Sequence, residues 1–197
     1  MIKKTIILIT IIFVILVTTY ALKLLFFKPF SFNHFLTRQL VYDALESPEY
    51  LTYIGILEKY GYRSYNGKLS DYSLEKDIKD LKKLKKEYKI LNSYENEELS
   101  AEELTSKKIS LFQMRNEIDQ RTKYPYHAYP LIQMNGLHTR ILEFMTDIHP
   151  IKDEKDAKYY LSRLEMIPLV FSQILEKMEK RKNLKIFPPT FMVERVI

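Results

Sequence analysis

LEKDIKDLKKLKKEYKIL, residues 74–91, decides the fold class. Leu74, Ile78, Leu81, Leu84, Tyr88 and Leu91 recur every three or four positions, so they share one face of a helix with about 3.6 residues per turn. Ser73 stands just before the run as an N-cap. The lysines at 79, 82, 83, 85, 86 and 89 alternate with Glu75, Asp77, Asp80 and Glu87, which reads as a solvated outer face rather than a surface for nucleic acid or anionic lipid.

The same period recurs downstream. Ser100-Ala-Glu-Glu103 is a capping box, followed by Leu104, Leu111, Met114 and Ile118 as a buried stripe. An antiparallel hairpin across the acidic link 92–99 is expected. Asn135-Gly136 turns the chain into a short helix over 137–145. Residues 153–166 (DEKDAKYYLSRLEM) form a helix with acids in its first turn, and Pro168 kinks or ends it. The helical pattern resumes over 169–181 with Val170, Ile174, Leu175 and Met178 inward, and Pro188-Pro189 opens a final turn through Phe191, Val193 and Val196. No period of two is sustained anywhere, so the chain is all-α.

Upstream, Phe35, Leu36, Leu40, Val41 and Leu45 follow a helical spacing with Asn33 as cap, and Ser47-Pro48-Glu49 restarts a helix through Leu51, Ile54 and Leu57 that Gly61 closes. Residues 62–71 read as a loop with a tight turn at Asn66-Gly67. Between the central helices, residues 124–130 (YPYHAYP) carry two prolines that force extended backbone around three tyrosines. Those rings either stack on a ligand in a groove or pack a helix crossover with hydroxyls at the surface; the second is the better reading.

At the N-terminus, TIILITIIFVILVTTYAL (residues 5–22) carries no charge and follows Lys3 and Lys4. As a helix it measures about 27 Å, close to the bilayer core once Lys23 snorkels and Leu24 to Phe27 extend it. A cleaved signal peptide and an uncleaved signal anchor both fit. Tyr20 and Leu22 make Thr19-Tyr20-Ala21 a poor cleavage site and the run is long for a signal, which favours the anchor. The lysines before the run favour a cytoplasmic N-terminus. The expected organisation is therefore an anchor over 1–28 and an all-α, hairpin- or bundle-like domain over 29–197. It sits in the bacterial inner membrane, single-pass with the domain periplasmic, or is secreted if the segment is cleaved.

Composition excludes several classes. There is no cysteine, hence no disulfide scaffold, thiol nucleophile or cysteine-bound zinc. Of 31 basic residues, Lys3, Lys4, Lys23, Lys28 and Arg38 precede Asp43, the first acid, leaving 26 against 25 acids. That near-neutral remainder carries no footprint for nucleic acid. None of His34, His127, His138 and His149 has HExxH spacing, and His138 and Glu143 fall on different faces. No G-x-S-x-G elbow accompanies the serines, and Glu97-Glu98 and Glu102-Glu103 sit at helix starts, where the dipole explains them. The residues name no catalytic, cofactor or metal site.

Five segments in order resemble one family: SPEYLTYIG (47–55), KLSDYSLE (68–75), YPLIQMNGLHT (129–139), DAKYYLSRLEMIP (156–168) and IFPPTFMVERVI (186–197). Together they resemble the N-terminal third of the bacterial domain-of-unknown-function 885 family, large exported all-α proteins similar to helical zinc peptidases. The resemblance implies a peptidase-like ancestry without its chemistry, since the family's HExxPGH-type helix has no matching position here. It further implies a truncated, non-catalytic segment whose partner is a separately encoded C-terminal peptidase-like half, and N-terminal helices that line a substrate cleft, with Tyr126, Tyr129 and His138 as the residues to watch. The alternative is a free-standing envelope binding module without enzymatic activity.

Overall fold

The computed structural model describes residues 2–132 and 135–194, without side chains at 2, 4, 5, 8, 25 and 26. It is all-α: among the described residues there is no strand. Among the described residues the α-helices are α1 (Ile2–Phe26), α2 (Phe32–Glu46), α3 (Pro48–Ile54), α4 (Leu74–Asn92), α5 (Ala101–Lys123), α6 (Leu137–Glu143), α7 (Glu154–Asn183) and α8 (Thr190–Glu194). Val196, expected in the last turn, lies outside the described residues.

Local signals set most boundaries. Ser47 Oγ accepts from Tyr50 N, and Asp153 Oδ1 accepts from Asp156 N at 2.9 Å, each satisfying an orphan donor of a first turn. Ser73 Oγ accepts from Lys76 N at 3.1 Å. The capping box is reciprocal: Ser100 N donates to Glu103 Oε2 at 3.0 Å and Glu103 N to Ser100 Oγ at 3.2 Å.

Several expectations are corrected. Ser31, not Asn33, caps α2, accepting from His34 N at 3.2 Å, while Asn33 lies inside the helix and donates to Glu103 Oε1. Gly55, at φ 59, ends α3 before Gly61, because a left-handed residue there lets its N–H close on Leu51 O. Gly61, at φ 80, ends only a 3-10 turn at Glu58–Tyr60. The expected loop 62–71 contains a buried 3-10 turn, Ser64–Gly67. Pro168 neither ends α7 nor divides it; the helix runs 30 residues through it. In α7 the inward stripe is Val170 and Ile174 joined by Lys177 and Arg181, whereas Leu175 is 58% exposed. In α4, Ile78 is 70% exposed and Glu87 is buried.

The chain forms two compact units, one from Met1–Tyr42 and Lys86–Met114, the other from Asp43–Lys85 and Arg115–Ile197. The first has a core of Phe32, Phe35, Leu91 and Tyr94, with Leu99, Leu111 and Met114 packed on it. The second has a core of Leu69, Leu137, Ile141, Phe144, Met145, Val170 and Ile174.

In α1 most of the described apolar side chains are exposed, from Ile6 at 57% to Leu22 at 47%. Among the described residues no helix is long and apolar enough to cross a membrane.

Candidate membrane-interface site

The end of α1 is held by a collar built within the first unit. Helix C-termini leave carbonyls without intrahelical donors and carry partial negative charge, so a cation there is favoured. Arg38, on α2, fills that place: Nη1 donates to Phe27 O at 2.5 Å and to Leu24 O at 3.3 Å. Its Nη2 donates to Glu87 Oε2 at 2.5 Å, and Gln39 Nε2 donates to the same oxygen at 2.7 Å. Arg38 and Glu87 are each 5% exposed, so each depends on the other for its charge.

Around this pair the chain leaving α1 is fixed by aromatic contacts. Lys28 Nζ donates to Ser93 O at 2.7 Å and lies 4.5 Å over the Tyr94 ring. Tyr94 donates to Pro29 O at 2.8 Å, and burial pushes its phenol up to about 12. Phe30 stacks on Tyr20 at 5.6 Å and 7°, and Lys23 Nζ lies 4.1 Å over the Phe30 ring. Tyr20 Oη is 3.4 Å from His34 Nδ1. Rings and cations are thus gathered where α1 ends.

The second unit is organised by Arg163, which is fully buried. Nε donates to Lys68 O at 2.8 Å, Nη1 to His149 Nδ1 at 2.7 Å, and Nη2 to Thr52 Oγ1 at 2.7 Å and Tyr65 O at 3.2 Å. The guanidinium sits 4.6 Å over the Phe144 ring. Burial pushes its pKa down to about 10. Burial and the adjacent Arg163 charge hold His149 below its ordinary value. An imidazole accepting at Nδ1 is neutral with its proton on Nε2, which faces Asp156 O at 3.5 Å. Thr52 Oγ1 pairs with Asn66 Oδ1 at 2.8 Å, and Asn66 Nδ2 donates to Glu58 Oε1 at 3.0 Å. With every Arg163 nitrogen engaged inside the protein, this hub joins α3, the 64–67 turn and α7, and the buried Tyr65 hydroxyl beside it has no hydrogen-bond partner among the described residues.

The tyrosine-rich segment 124–130 is clamped to the end of α7. Arg181 Nε donates to Tyr126 O at 2.6 Å, Lys180 Nζ lies 5.6 Å over the Tyr126 ring, and Tyr129 donates to Phe187 O at 2.9 Å. Tyr126 and Tyr129 are half-buried, whereas Tyr124, the third ring expected to pack there, is 60% exposed. His127 is exposed beside Tyr124, His34 belongs to the collar, and His138 is half-buried beside Gly136. The four histidines therefore stay apart, and among the described residues no group of three His, Asp or Glu side chains is arranged to hold a metal.

The sequence reading missed Arg38, Glu87, Arg163 and His149. Their signal is phase: Glu87 lies one turn from Leu84 and Leu91, and Arg163 lies a heptad before Val170.

No curated protein and no solved structure matches the chain. The family model described as "Bacterial protein of unknown function (DUF885)" matches residues 48–197. That match covers more than half of the sequence, and on it the chain belongs to the DUF885 family.

Proposed function

We propose that this chain is a single-pass, membrane-tethered helical segment held outside the bacterial cytoplasm, where it serves without chemistry of its own as one wall of a peptidase-like assembly. The collar carries the reading. A 25-residue helix with most of its described apolar side chains exposed finds its natural solvent in lipid, and its end is fixed by an Arg38–Glu87 pair and ringed by Tyr20, Phe30, Lys23 and Lys28. Lys3 and Lys4 at the other end set the N-terminus on the cytoplasmic side. No HExxH spacing occurs in the sequence, so zinc chemistry in such an assembly belongs to residues other than these. The partner the reading calls for is a polypeptide carrying an HExxPGH-type helix.

Alkaline extraction of membranes from cells making the protein, with the N-terminus read by mass spectrometry, tests the tether. The expected result is a chain that stays in the pellet with residues 1–28 attached. A chain released at alkaline pH, or one beginning near Leu22, overturns it. Stoichiometric zinc binding with peptide hydrolysis by the purified chain overturns the non-catalytic part.

A second reading, a free-standing binding module, is favoured by the buried Arg163 guanidinium, whose nitrogens are all engaged by groups of this chain. It predicts a cooperative melt of the purified chain alone.

A further inference from the structure

The side of α1 next to the collar carries a pocket of about 420 Å³, lined by Leu16, Val17, Thr19, Tyr20 and Phe30. Four lie on α1, and Phe30 is brought back against them by the turn after the helix, where stacking on Tyr20 holds it as a flap. The lining is almost wholly apolar, although Phe30 itself is 61% exposed. At its rim stands the Lys23 ammonium, 4.1 Å over the Phe30 ring, and among the described residues Lys23 has no carboxylate partner. His34 adds a polar ring beside the Tyr20 hydroxyl. From Leu16 to Lys23 the helix rises about 10 Å, so an apolar slot is followed along one axis by an unpaired cation.

That order matches an amphiphile with an acyl chain and an anionic head. We infer that the α1–Phe30 pocket is a binding site for one anionic phospholipid of the leaflet at the exit of α1, with its chain between Leu16, Tyr20 and Phe30 and its phosphate at Lys23. The inference rests on the membrane tether proposed above. The occupant is a lipid rather than a free phosphate because a lone anion would leave the apolar slot empty. Arg38 is paired with Glu87, and Lys28 is turned to Ser93 O and the Tyr94 ring away from the pocket, so Lys23, over the Phe30 ring at the rim, is the cation that selects the headgroup. One juxtamembrane lysine contributes about fivefold in affinity for an anionic surface.

The test uses the full chain in nanodiscs of phosphatidylcholine with a minority of phosphatidylglycerol, ejected intact for native mass spectrometry. Expected are a retained phosphatidylglycerol enriched about fivefold over its share of the disc, loss of that enrichment in Lys23→Gln, its return in Lys23→Arg, and fewer retained lipids of either kind in Phe30→Ala. Retained lipids in the bulk ratio, from a chain still embedded in the disc, would overturn the lipid site and leave the tether standing. A chain that does not enter the discs would overturn both.

Discussion

Replacing Arg163 by methionine is the sharpest test of how the second unit is held. The side chain donates to Lys68 O, Tyr65 O, His149 Nδ1 and Thr52 Oγ1 from a fully buried position. Thr52 keeps Asn66 and Tyr65 O keeps the Lys68 N–H at 3.0 Å, but Lys68 O and His149 Nδ1 become buried acceptors without donors, each costing about 1–3 kcal/mol. Against this, the guanidinium's own desolvation is relieved. Burial lowers its pKa to about 10, which at about 1.4 kcal/mol per unit returns about 3 kcal/mol. Methionine keeps the stem, so no large cavity forms, but it gives up the guanidinium's place over the Phe144 ring, worth about 2 kcal/mol at a desolvated site. With the two lost acceptors near the middle of their range and the cation–π contact gone, the balance is a loss of about 3 kcal/mol, or roughly 6–12 °C in Tm for a domain of this size. Arg163→Lys keeps a buried charge but cannot reach three directions at once, so it is at least as destabilising. Circular dichroism melts of the full chain in detergent read both. A methionine variant melting within about 2 °C of the parent would refute the hub as a stabilising network.

Three further outcomes follow from the same geometry. His149 is held below its ordinary 6.5, so the unfolded chain takes up the proton first. The stability it contributes is therefore complete above about pH 6.5 and is lost as pH falls from there toward the folded value, by at most about 1.4 kcal/mol per unit. Urea midpoints measured across that window should show the slope, and His149→Gln should flatten it. Glu87→Ala strands the buried Arg38 charge and should cost about 3–5 kcal/mol, whereas the double variant with Arg38→Met should cost far less than the sum of the singles; additivity in that cycle would contradict the pairing. Gly136→Ala places a Cβ 2.4 Å from His138 Cε1 and 2.6 Å from Ile132 O and should lower stability by about 1–3 kcal/mol, with no change in the urea midpoint as the contrary result.

Much of the fold was legible because it is written locally. The reciprocal Ser100–Glu103 box, the Ser47 and Asp153 caps and the helical period of α4 need only neighbours within one turn to be read. The hub was not legible, since Arg163 meets Lys68, Thr52 and Tyr65 across about a hundred residues of chain. Burial of charge defeated the apolar stripe in both units. Asp156, Arg163, Lys177 and Arg181 occupy the buried face of α7 in phase with Val170 and Ile174, and Arg38 and Glu87 do the same on α2 and α4. Assigning polar residues to the outside sent Leu175 inward by mistake. The continuity of α7 through Pro168 was hidden for a different reason. Proline removes one N–H and crowds the preceding turn, a cost of about 3 kcal/mol that packing of Val170 and Ile174 beyond it can offset. At the collar, the cations before Asp43 were visible but their division of labour was not, because it depends on Glu87 and Ser93.

The absence of cysteine allows the tether to be tested directly, because single cysteines can be introduced without background. Lys3→Cys and Lys158→Cys, both at exposed positions, would be probed with a membrane-impermeant maleimide on intact spheroplasts and after lysis. The tether and its orientation predict that position 158 labels in intact spheroplasts while position 3 labels only after lysis, with both variants in the membrane pellet. Labelling of position 158 only after lysis would place the helical domain in the cytoplasm and contradict the account.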